Sequence, residues 1–122
     1  MNELAAHHTF VGEDAENELF MVVFAEEEGE QGERLGIQRA FAFDDQDRSL
    51  GQDTYCLVSR EGVSYGGVTS WSLTGKVLTL ALDETCSEAL AADGGYEILI
   101  EADGDKLEAI RAGLKRALEG PP

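Results

Sequence analysis

Residues Val77 to Leu82 read VLTLAL, with Leu78, Leu80 and Leu82 alternating with Val77, Thr79 and Ala81. In an extended chain, period two sends alternate side chains to opposite faces, so this run specifies a strand with one buried face. Before it come Thr74-Gly75-Lys76 and a longer run of strand formers, Val63 to Leu73. Two such runs joined by a short glycine turn make an antiparallel hairpin. Arg60-Glu61-Gly62 predicts another turn, which links back to Thr54 to Ser59 (TYCLVS). This part of the chain therefore reads as an antiparallel meander. Gly66-Gly67 interrupts the Val63 to Leu73 run, and glycine inside a strand marks a bulge or a close backbone approach.

Further strands precede the meander. Thr9-Phe10-Val11 is a short one. Leu19 to Ala25 (LFMVVFA) is a continuous apolar run, as in a strand covered on both faces. A buried helix is the competing reading, but the run is short and rich in Phe and Val. Leu35, Ile37, Phe41 and Phe43 recur with period two and describe a half-buried strand. Between the last two lies EEEGEQGE, Glu26 to Glu33, an exposed loop.

Helices follow the meander. Thr85-x-x-Glu88 has the form of a capping box and opens a short helix that ends near Gly94-Gly95. Tyr96 to Ala102 returns as a strand. Asp105-x-x-Glu108 opens a second helix, on which Leu107, Ile110, Leu114 and Leu118 form one apolar stripe. Lys115 and Arg116 lie near its C-terminus, where the helix dipole favours cations. The order predicts a single α+β domain over residues 1–122: an antiparallel meander of about six to seven strands, a short helix between the last strands, and a C-terminal helix packed on the sheet.

The 122 residues, 43% of them hydrophobic, suffice for one packed core without disulfides or a metal. The charge is unusual: 25 acidic against 9 basic residues, a net of −16. Nucleic acid and anionic membranes require clustered Lys and Arg, so neither is an expected partner, whereas a basic protein is. Glu3, Glu13, Asp14, Glu16, Glu18, Glu26, Glu27, Glu28, Glu30 and Glu33 fall within residues 1–33, which contain no Lys or Arg. They form either a solvated rim or a docking surface, and Glu26, Glu27, Glu28, Glu30 and Glu33 are the candidate partner-binding residues. A signal-peptide pattern is absent from MNELAAHHTF, and no apolar run reaches membrane-span length, so a cytoplasmic protein with reduced thiols is expected.

No constellation points to catalysis, a cofactor or a bound metal. His7 and His8 are the only histidines, and neighbours on a strand face opposite ways. Asp44, Asp45, Asp47 and Asp53 make a dense carboxylate loop of the kind that attracts calcium, but the EF-hand positions for glycine and the final acid hold Leu50 and Cys56. An ordinary acidic turn is the preferred reading, and a small calcium-responsive or assembly module is the alternative. Cys56 reads as a packed thiol within a strand. Cys86 occupies the first turn of the short helix, a place that favours a thiolate.

Ile37-Gln38-Arg39, Phe43-Asp44-Asp45-Gln46-Asp47, Leu50-Gly51-Gln52-Asp53-Thr54-Tyr55-Cys56 and Tyr65-Gly66-Gly67-Val68 occur in this order. The series resembles immunity protein family ten of bacterial polymorphic toxin systems. The likeness covers roughly residues 35 to 90, with a weaker match through Leu73 to Leu82 and Leu90. It implies a cytoplasmic antidote that binds and blocks a cognate toxin domain. Gln38, Arg39, Asp44, Asp47, Gly51, Asp53, Tyr55, Cys56, Tyr65, Gly66 and Gly67 are expected to hold the fold, leaving toxin contacts to residues outside the series.

Overall fold

The computed structural model describes residues 1–28 and 32–120. Within them the chain forms nine strands and three helices. In order these are β1 (Asn2–Ala6), β2 (His8–Asp14), β3 (Leu19–Ala25), β4 (Arg34–Ala40), α1 (Asp45–Ser49), β5 (Cys56–Ser59), β6 (Val63–Tyr65), β7 (Val68–Thr74), β8 (Val77–Leu82), α2 (Glu84–Ala89), β9 (Gly95–Ile100) and α3 (Gly104–Glu119).

The strands divide between two sheets. One is a five-stranded antiparallel meander in the order β2-β3-β4-β5-β6. The other has four strands in the order β1-β9-β8-β7, and β1 runs parallel to β9. Their inner faces share one core. Phe20, Val22 and Phe24 of β3, Leu35 and Ile37 of β4 and Leu57 of β5 meet Leu4 and Ala6 of β1, Leu78, Leu80 and Leu82 of β8 and Tyr96, Ile98 and Ile100 of β9. Each set follows period two along its strand.

Helix α3 bridges the two sheets. Its stripe buries Ile110, Leu114 and Ala117, and the helix packs against β2, β3 and β4. Gly113 lets it approach closely, since a Cβ there would lie 2.8 Å from Val11 Cγ1. Arg39 is buried beneath the helix end and donates to the Ala117 carbonyl at 3.1 Å. On the other sheet Arg111 donates to the Leu73 carbonyl at 3.2 Å, and the Trp71 indole donates to Glu119 at 2.9 Å.

The α+β class, the antiparallel strands, the short helix before the last strand and the packed C-terminal helix agree with the sequence. The single meander does not describe the arrangement, because the Val63 to Leu73 run is two strands in different sheets. Gly66 and Gly67 both have positive φ, 71° and 101°, and carry the chain from one sheet to the other. The strand β1 has only Leu4 and Ala6 to bury and no β-branched residue, so its propensity signal is weak. Leu19 to Ala25 buries Phe20, Val22 and Phe24 on one face, while Leu19, Met21 and Val23 remain half-exposed on the other. The period of Leu35 and Ile37 continues inward to Arg39, and the strand ends at Ala40, leaving Phe41 exposed. Asp83, not Thr85, caps α2, accepting from the Cys86 amide at 2.8 Å. At α3 the N-cap is Asp103, two residues before Asp105. No helix among the described residues is long and apolar enough to cross a membrane.

Candidate functional site

The series Ile37 to Val68 is folded so that its members alternate between core and surface. Arg39 of β4 and Tyr55, just before β5, lie inward, while Gln38 of β4 and Cys56 of β5 point outward and pair in register with each other. The buried Tyr55 hydroxyl accepts from the Val68 amide at 2.9 Å. Tyr55 thus fixes the start of β7 just after the sheet-to-sheet crossing at Gly66-Gly67. Gly67 itself sits against α2: a Cβ there would lie 2.5 Å from Cys86 Cβ. Asp44 caps α1 and accepts from the Asp47 amide at 2.8 Å, while Asp47 accepts from the Asp44 amide at 3.0 Å. This reciprocal pair is a capping box. Gly51 adopts φ 71° just beyond the helix. Asp53 is half-buried but caps no backbone amide among the described residues. Gln38, Asp47, Cys56 and Tyr65 line a hollow of about 140 Å³ beside α1. No three carboxylate, thiol or imidazole groups among the described residues come together as a metal site.

The acids of the first third are spread over the molecule. Asp14 ends β2, and Glu16 and Glu18 follow in the turn to β3, next to the segment before α1, where the Phe41 amide donates to the Glu18 carbonyl at 3.0 Å. Glu13 pairs with Arg116 at 3.5 Å, and Arg116 also stacks 4.1 Å from the Phe20 ring centroid. At the opposite end, Glu26, Glu27, Glu28 and Glu33 flank the hairpin from β3 to β4. Glu30 lies outside the described residues. Glu26 holds this hairpin by accepting the Glu33 amide at 2.8 Å. Glu28 lies 3.9 Å from His8, and Glu27 and Glu33 are exposed.

Both outer sheet faces are open, and a depression of about 550 Å³ lies on the four-stranded sheet. Ala5, Val77 and Leu99 form its apolar floor, and Glu3, Glu97 and Glu26 stand around it. The floor residues share one row across the sheet, because Ala5 pairs with Leu99 and Leu99 with Val77. The next row sets Glu3 directly beside Glu97. Leu99 is 57% exposed, an unusual state for a leucine in the middle of a sheet.

The family described as immunity protein 10 matches residues 5–108. The chain belongs to the immunity protein 10 family. No curated protein and no solved structure matches it.

The immunity protein 10 match spans both sheets and ends within α3. Each expected fold-holding residue lies within it, and the structure brings Arg39, Asp44, Asp47, Tyr55, Gly66 and Gly67 into packing, capping or crossing positions. Burial pushes both the Cys86 and Cys56 thiols up, so each stays protonated near neutral pH. The helix position that favours a Cys86 thiolate is outweighed by enclosure in the core.

Of the residues around the 550 Å³ depression, Glu26 stands among the candidate contacts of the sequence and Glu3 within its acidic third, whereas Glu97 and Leu99 belong to neither group. The signal was available in YEILIEA, where Glu97, Leu99 and Glu101 alternate with Tyr96, Ile98 and Ile100 and so share the outward face.

Proposed function

We propose that this immunity protein 10 member acts in the cytoplasm as the antidote to a cognate toxin domain. It works by binding, with carboxylates covering a basic surface at the toxin's active site. The observation that carries this reading is the family match over residues 5–108. The charge supports it: a net −16 draws in a basic protein and repels nucleic acid and anionic lipid. Toxins that act on nucleic acid present such basic surfaces, and Glu26, Glu27, Glu28, Glu30 and Glu33 supply carboxylates to meet one. Electrostatic steering then accelerates association, an effect that weakens as salt rises.

The test is co-expression with the toxin domain encoded beside the gene. Cells expressing both should grow, and the two proteins should co-purify. Unrelieved toxicity with well-expressed, folded antidote would reject the reading. An association rate unchanged by salt would reject the steering alone.

A further inference from the structure

We infer that the depression on the open face of the four-stranded sheet receives an arginine or lysine side chain of the partner toxin domain. This rests on the antidote reading for the partner's identity, but the recognition chemistry comes from the site. Ala5, Val77 and Leu99 offer an apolar floor on which the methylene stem of such a side chain lies. Glu3, Glu97 and Glu26 surround that floor with carboxylates placed to take its charged head.

Three observations select this occupant. Glu3 and Glu97 are cross-strand neighbours of like charge, an arrangement that is unfavourable until a cation joins it. Neither has a cationic partner among the described residues, although bases are near. Lys76 pairs with Asp103 at 3.9 Å, and His7 pairs with Glu101. The third carboxylate, Glu26, is held in place by the Glu33 amide, so it is oriented before any partner arrives. A second copy of this chain is the wrong occupant, since it would set −16 against −16 across a face that already carries unpaired carboxylates. The open face of the five-stranded sheet is less suited to a cation, because Arg34 already projects into its hollow.

The experiment measures the dissociation constant for the toxin domain encoded beside the gene, using full-length wild type, Glu97→Lys, Leu99→Lys and Val63→Lys. Val63 is an exposed residue on the other sheet and serves as the control. Glu97→Lys and Leu99→Lys should weaken binding about 10- to 100-fold, with Val63→Lys within about twofold of wild type. Thermal melts establish that each variant is folded, and Glu97→Gln, which only removes charge, replaces any that is not. Wild type that binds together with depression variants that bind equally well would overturn the inference and leave the antidote reading standing. Wild type that does not bind would remove the antidote reading and, with it, the occupant. A wild-type dimer in light scattering that Leu99→Lys dissociates would also overturn it, since the face would then serve self-association.

Discussion

At Gly67 the chain leaves one sheet for the other, and two constraints meet on one atom. Its φ of 101° disfavours any side chain, and an added Cβ would press on Cys86 at 2.5 Å. Gly67→Ala should therefore destabilise the fold by roughly 2–4 kcal/mol in urea melts, combining left-handed strain with overpacking. A loss under half that amount would mean that α2 moves aside freely. Asp14 provides a pH-dependent case. The Asn17 side-chain amide, and then its backbone N–H, donate to the Asp14 carboxylate and hold its pKa below the ordinary aspartate range. A depressed folded-state pKa stabilises above the unfolded-state value, about 3.9, and that stabilisation disappears as pH falls through the folded value. Asn17→Ala should return the Asp14 titration, followed by carboxyl NMR, toward the ordinary range. An unmoved titration would assign the depression to another cause.

Among the elements, α3 and α1 stand at opposite extremes. The first lays Ile110, Leu114 and Ala117 into the core, whereas the second buries no residue and depends on the box between Asp44 and Asp47. Leu114→Ala should cost about 2–5 kcal/mol in chemical melts. Asp44→Ala, which removes the N-cap, should cost only about 0.5–2 kcal/mol, and only if α1 melts together with the whole fold. Equal costs would contradict this division of roles. The same contrast explains what the sequence disclosed. The stripe from Leu107 to Leu118 and the alternation from Val77 to Leu82 are strong local patterns, and both elements appear where those patterns lie. The five-residue α1 has no apolar stripe, and β1 has two small-to-medium core residues in an alanine-rich stretch, so neither stands out locally. The division into two sheets is set by where strands find partners far along the chain. Gly66-Gly67 discloses a break but not the direction of the crossing. For the same reason Glu3, Glu26 and Glu97 are visible as acids and invisible as neighbours, since only the parallel pairing of β1 with β9 brings Glu3 beside Glu97.

Across the whole molecule, self-repulsion opposes folding. A net −16 on 122 residues is screened when the Debye length falls from about 30 Å at 0.01 M salt to under about 5 Å at 0.5 M. The thermal midpoint should rise over that interval by a few degrees, on the order expected for 1 kcal/mol or so in a domain of this size. A midpoint that is flat or falling would show that the ion pairs, such as Glu13 with Arg116, outweigh the repulsion. Salt should thus move stability and toxin association in opposite directions.

The parallel pairing of Asn2 with Tyr96 and of Ala6 with Ile100 has a temporal consequence. Strand β1 leaves the ribosome well before β9, the strand it hydrogen-bonds to, so Leu4 and Ala6 have no ladder to join until β9 has emerged. Loop closure over such a span comes late and makes folding slow for a chain of this length. A nascent copy therefore lacks the Glu3–Glu97 face until its synthesis has passed β9.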